Sequence, residues 1–200
     1  ECSFSFHVRI GDFSTKKTIP LFVPRSQPLP NTPEYHQHLL DQCRRLILSG
    51  KGITIVLLDD LQSRFKLTSE LAADFGVRVV HQSTASSPNG IICCSCSWWI
   101  NNQVQLPDPC QLIFGLIPLP SIESPLIAAK VDSYKKQGRD WFREFLLPEA
   151  LDILLKVVER TRSKGVRVAI LDGRMRSRSW GSRVFRTLEP WSLLERLLPN

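Results

Sequence analysis

Four apolar runs constrain this chain more than any other feature. They are ITIVLLDD (53–60), GIICCSCSWW (90–99), CQLIFGLIPLP (110–120) and VRVAILD (166–172). A strand with one wet face alternates apolar and polar residues, whereas a continuous apolar run marks a strand covered on both faces. Such strands belong to parallel sheets with helices on either side. The segments between them have helical spacing. A first helix is expected from Asn31 or Thr32 as cap, through Pro33 in the first turn, to Gly50. LQSRFKLTSELAADFG (61–76), ESPLIAAKVDSYKKQG (123–138) and LPEALDILLKVVERTR (147–162) are further helices, each with a glycine or a turn at its end. TIPLFVP (18–24) and VRVVHQ (77–82) are shorter strands, and FSFHVRI (4–10) is a candidate edge strand. STASSPNG (83–90) is a loop, VRVAILD the last strand and SLLERLL (192–198) a short C-terminal helix. Strands alternating with helices predict an α/β fold with a mostly parallel sheet covered on both faces. Ligands of such sheets bind beyond the carboxyl ends of the strands, so the loops after Leu58, Cys96, Ile117 and Asp172 are the ones to watch.

At 200 residues the chain suits one domain. It starts on Glu1 rather than methionine, which implies a piece of a longer chain. No run of about 18 apolar residues occurs, so no membrane-spanning helix is expected. Six cysteines occur, three of them in the run around Cys93, Cys94 and Cys96. No second pair completes a C-x₂₋₄-C zinc pattern. The cysteines read as small buried strand residues, Cys94 and Cys96 sharing one face, in a reducing, cytoplasmic setting. The four histidines make no ligand spacing, and no metal is expected.

The net charge of +7 is unevenly distributed. Ten Lys or Arg and only two acids, Glu159 and Asp172, lie between Lys156 and Arg186, so this stretch carries the whole positive excess. A concentrated basic stretch is the footprint of a polyanionic partner such as nucleic acid. Two candidate sites, one for phosphate and one for a cation, fail or weaken. SGKG (49–52) lacks the glycine five residues before Gly50 and the hydroxyl residue after Lys51, so it is no P-loop. Asp59-Asp60 ends a strand ahead of a helix and reads as a helix cap rather than a cation site.

Three quoted stretches occur in an order that resembles the second RecA-like motor domain of the DinG/XPD-type DNA helicases of superfamily two. They are IPLFVPRSQPLPNTPEY (19–35), SCSWWINNQVQLPDPCQLIFGLIPLPSIESPLIAAK (95–130) and LPEAL followed by ERTRSKGVRVAILDGR (147–174). The resemblance runs over residues 10–187, and ITIVLLDD takes the place of a family strand that usually ends in Thr-Ser. It implies one RecA-like domain over 1–200, with 1–19 as lead-in and 189–200 as terminal helix. It also implies a longer helicase in which ATP and Mg²⁺ are held mainly by an N-terminal RecA-like domain. This domain would supply half of the ATP cleft and half of a single-stranded DNA track, and alone would not hydrolyse ATP. The resemblance assigns Arg160 and Arg162 as arginines that reach the ATP phosphates, with Lys156 beside them. Arg174, Arg176, Arg178 and Arg183 are candidate nucleic-acid contacts. Trp98 and Trp99 are candidates for stacking on bases, with packing into the core as their alternative.

Several motif positions depart from the family. Trp98-Trp99 stand for its Phe-Trp, Ile100 and Asn101 for its Glu and Gly, and Gln103 near its Asp. Lys156 stands for its Gln, and Val157 and Glu159 for its two glycines. Arg160 is kept, and Arg162 is kept only if one residue is skipped. These departures favour an alternative reading, a degenerate pseudo-helicase module that binds nucleic acid or a protein partner. An unrelated α/β domain with an anion-binding patch is the other alternative.

Overall fold

The computed structural model describes residues 17–194. The strands are β1 (Ile19–Phe22), β2 (Thr54–Leu57), β3 (Val79–His81), β4 (Ile91–Cys94), β5 (Gln111–Phe114), β6 (Arg167–Ile170) and β7 (Trp191–Leu193). They form one sheet in the order β3-β4-β2-β5-β6-β1-β7, and every adjacent pair is parallel. β2, β4 and β5 are buried along their whole length, as their unbroken apolar sequences require.

The helices are α1 (Glu34–Ser49), α2 (Leu61–Phe75), α3 (Cys96–Asn102), α4 (Pro125–Lys136), α5 (Leu147–Arg162), α6 (Arg174–Ser177) and α7 (Gly181–Thr187). They divide between the two faces of the sheet. α1 and α2 bury Leu39, Leu46, Leu67 and Leu71 against Val56, Ile91, Ile113 and Ala169. On the other face α3, α5 and α7 bury Trp99, Leu154, Val157 and Val184 against Ile55, Ile92, Phe114 and Val168. Alternate residues of each strand serve alternate faces, the period-two rule applied to a doubly covered sheet. The expected α/β architecture is present, and it is consistent with a RecA-like fold.

Four sequence expectations change. GIICCSCSWW is not one strand: β4 stops at Cys94 and the Ser95 hydroxyl accepts the Trp98 N–H at 3.2 Å, starting α3. Ser is a strong helix cap, and that local preference outweighs the apolar run. Cys94 and Cys96 therefore share no strand face, although both are buried. The start of α1 has no side-chain cap, because the Thr32 hydroxyl turns back to donate to the Leu29 carbonyl. VRVAILD is not the last strand. Ser192 and Leu193 lie in β7, which pairs with β1, so the first residues of SLLERLL are extended rather than helical. Residues 195–198 of that segment and FSFHVRI lie outside the described residues.

No helix among the described residues is long and apolar enough to cross a membrane. Among them, no group of three His, Cys, Asp or Glu could hold a metal ion. The described cysteines are free thiols. Burial pushes the Cys93 thiol up to about 11, and it pushes Cys43, Cys94 and Cys96 higher still.

Candidate functional site: two crevices at the strand ends

Sheet order and helix side together create two crevices. β2 and β5 are neighbours, yet β2 leads into α2 on one face and β5 leads towards α5 on the other. Chain leaving adjacent strands in opposite directions opens a gap above their carboxyl ends. The first crevice, about 560 Å³, lies there, lined by Asp59, Asp60 and Leu61 after β2 and by Leu116 to Ser121 after β5. The same divergence recurs between β1 and β6: β1 leads into α1 and β6 into α6 and α7. A second crevice of about 250 Å³ opens there, between Pro24 to Gln27 and the Gly173, Arg176 and Ser177 wall.

The first crevice is acidic and apolar. Both carboxylates at its mouth are exposed and hold helix starts. Asp60 Oδ2 accepts the Ser63 N–H at 2.7 Å and caps α2. Those hydrogen bonds hold its carboxyl below the usual range. Asp59 Oδ1 accepts the Cys96 N–H at 2.7 Å, at the start of α3. The two acids are thus helix-capping groups, as their position ahead of a helix implies. The floor is tied by Asp172, which has no exposed surface. Its carboxylate accepts the Ile117 N–H at 3.0 Å from the loop after β5. It also accepts the Arg174 N–H at 3.0 Å and the Arg174 guanidinium at 2.7–3.2 Å. Arg174 lines the crevice, but its charge is matched by this buried partner.

The basic stretch does not form one patch. Residues 156–186 run down α5, through β6 and out again, so their cations are divided between the two edges of the sheet. At the amino edge Lys164 pairs with Asp108, and Arg167 donates to Gln111 and Ser49. At the carboxyl edge Arg176 donates to the carbonyls of Val23 and Pro24. Arg178, Arg183 and Arg186 are exposed, and Arg183 donates to the Arg143 carbonyl. None of these three has a carboxylate partner among the described residues.

The residues assigned to the ATP phosphates also separate. Lys156 is exposed and pairs with Asp152 at 2.6 Å, one helical turn away. Arg162 is 4% exposed and donates to the carbonyls of Leu188, Glu189 and Pro190. This guanidinium anchors the segment leading into β7; its Nε is buried with no hydrogen-bond partner among the described residues and lies 3.7 Å from the Glu159 carboxylate. Arg160 is half-buried at the end of α5. Its Nη1 is buried and has no hydrogen-bond partner among the described residues.

The two tryptophans separate as well. Trp99 is 1% exposed and its indole N–H donates to the Val157 carbonyl at 3.2 Å, so it is a core residue and not a stacking platform. Trp98 is half-buried on the same helix and keeps an open side. Arg25 and Gln27 carried no signal in the sequence. β1 had to be seen inside the sheet before the loop after it became a crevice wall.

No protein-family model matches the chain. A comparison with curated proteins aligns it to the ATP-dependent DNA helicase YoaA of Escherichia coli (strain K12) at 26% identity over 192 residues. The alignment covers 89% of this chain and 30% of that protein. The chain is distantly related to a DNA helicase. It spans less than a third of the length of the relative it matches.

Proposed function

We propose that the chain is the C-terminal RecA-like motor domain of a divergent, DinG-type ATP-dependent DNA helicase. In a longer protein it works beside an N-terminal RecA-like domain. The observation that carries this reading is the helicase alignment, which covers 89% of the chain; the all-parallel sheet agrees with it.

ATP and Mg²⁺ would sit mainly on the companion domain. Of the three residues assigned to the phosphates, Arg160 and Arg162 each keep one buried guanidinium nitrogen without a hydrogen-bond partner among the described residues; Arg162 is held by the carbonyls of residues 188–190, so Arg160 is the cation this reading offers to them. A fixed planar cation supplies charge stabilisation to a transferring phosphoryl group. Arg160 lies at the amino edge of the sheet. Arg178, Arg183 and Arg186, with the open side of Trp98, are the proposed contacts to single-stranded DNA, and Arg174 and Arg176 add cations held in fixed positions.

A second reading is favoured by a specific observation. Lys156 is paired, Arg162 is buried, and Glu159 lies 3.7 Å from the Arg162 guanidinium. Glu159 also sets a carboxylate next to Arg160 in the chain. On this reading the domain is a pseudo-helicase that binds nucleic acid or a protein partner without turnover.

Two measurements test these readings. Anisotropy of a labelled single-stranded oligonucleotide across a salt series is expected to show a steep loss of affinity with salt. No binding at low salt refutes the nucleic-acid role. In the longer protein, Arg160→Ala is expected to lower ATPase activity while leaving the melting temperature in place. Unchanged turnover removes Arg160 from the ATP cleft, and no turnover in the parent selects the pseudo-helicase.

A further inference from the structure

The two crevices have the same origin in the sheet and opposite chemistry. The crevice at β2 and β5 presents Asp59 and Asp60 and repels a phosphate. The crevice at β1 and β6 is lined by Pro24, Arg25, Ser26, Gln27, Gly173, Arg176 and Ser177, two cations and no acid. Its walls are built closely. A Cβ on Gly173 would lie 2.3 Å from the Pro28 carbonyl oxygen and 2.8 Å from that of Gln27, so the glycine lets the 24–28 loop press against the β6 exit. Arg176 Nε and Nη2 are fixed by the Pro24 and Val23 carbonyls at 3.1 and 2.9 Å. Its Nη1 has no partner among the described residues, and neither has the Ser26 hydroxyl. Gln27 is held through Nε2 to the Ile170 carbonyl at 3.4 Å, while its Oε1 is buried with no partner among the described residues. At about 30 Å³ per water, the crevice holds roughly eight waters: room for a phosphate and part of its hydration shell, not for an enclosed nucleotide.

We propose that the crevice between β1 and β6 is a phosphoryl-binding site. Arg25 and Arg176 supply its positive charge, and the Ser26 hydroxyl donates to a phosphate oxygen. A guanidinium held by hydrogen bonds, as Arg176 is by the Pro24 and Val23 carbonyls, favours phosphate more than mobile surface lysines do, because its donors are already oriented. The phosphoryl group comes either from a nucleic-acid backbone, in which case the site deepens the reading above and rests on it, or from a small phosphate compound.

The test uses the 200-residue chain and two probes. Inorganic phosphate is titrated while backbone amide signals are followed by NMR. A labelled oligothymidylate is titrated by anisotropy across a salt series. The variants are Arg25→Ala, Ser177→Asp and Ser177→Asn; the last two have the same shape and differ by one charge. Phosphate is expected to shift the amides of Ser26, Gln27 and Gly173. Ser177→Asp is expected to abolish the shifts, and Ser177→Asn to keep them. If the backbone is the source, Arg25→Ala lowers the magnitude of the salt slope for oligothymidylate by about 0.7, one phosphate contact on a single strand. Phosphate shifts with an unchanged slope assign the site to a small phosphate compound and leave the nucleic-acid reading to stand or fall on oligonucleotide binding alone. Absence of these shifts at tens of millimolar phosphate, or equal loss in Ser177→Asp and Ser177→Asn, overturns the site even if the oligonucleotide binds.

Discussion

Replacing Asp172 by alanine tests how the floor of the larger crevice is held. The carboxylate is fully buried and joins two loops, accepting the Ile117 N–H on one side and the Arg174 backbone and guanidinium on the other. Breaking a buried ion pair by removing one partner destabilises by about 3–5 kcal/mol. The Arg174 side chain is 25% exposed, so water compensates part of its loss and the lower end applies. Stranding the Ile117 N–H adds about 1 kcal/mol. Asp172→Ala is therefore expected to destabilise by about 4 kcal/mol, which lowers the melting temperature by roughly 10 °C in a domain of this size. Urea unfolding gives the energy, and an unchanged m-value confirms that the unfolded state is the same. In a double-mutant cycle with Arg174→Ala, the coupling energy is expected to reach about 2 kcal/mol. A loss below about 1 kcal/mol for Asp172→Ala, or a coupling near zero, refutes the claim that this pair latches the two loops.

The indole of Trp99 supports the core, so Trp99→Phe is expected to lower stability by about 1–2 kcal/mol through the lost bond to Val157, with oligonucleotide affinity unchanged in anisotropy. Asp60 stabilises α2 as a charged cap, with its folded value lowered. Its contribution of about 1 kcal/mol is present above the ordinary carboxylate value and lost as pH falls through the lowered one. The stability gap between the wild type and Asp60→Ala, followed by urea titration from neutral pH into acid, should therefore close. A Cβ on Gly181 would lie 1.9 Å from the Met175 carbonyl oxygen, so Gly181→Ala is expected to separate α6 from α7 and reduce the melting temperature, whereas Gly138→Ala, with open space around it, acts only through its positive φ. Arg178→Glu, Arg183→Glu and Arg186→Glu together are expected to weaken single-stranded DNA binding at least tenfold at low salt without unfolding the domain. Equal affinity removes this surface from the nucleic-acid reading.

Much of this protein was legible in the chain alone. Largely apolar runs at 53–58, 91–94, 112–114 and 168–171 have no polar face to offer water, so the chain alone called for a parallel sheet covered on both sides. Helix α5 has the same limits in sequence and structure, Leu147 to Arg162, because its apolar period and its Pro148 start are local signals. The capping role of Asp60 was legible for the same reason: a cap acts within three residues.

Tertiary structure decided what each charge and ring does. The ten cations from Lys156 to Arg186 are contiguous in sequence, but β6 carries the chain from one edge of the sheet to the other and divides them. Arg160 and Arg162 are two residues apart and differ in surroundings, because only Arg162 turns onto the carbonyls of residues 188–190. Trp98 and Trp99 are adjacent, and the helical turn begun at Ser95 points one into the core and leaves the other half open. The two crevices exist only because neighbouring strands far apart in sequence send their helices to opposite faces. A linear pattern specifies which residues must be buried; only the order of strands in the sheet determines which loops meet.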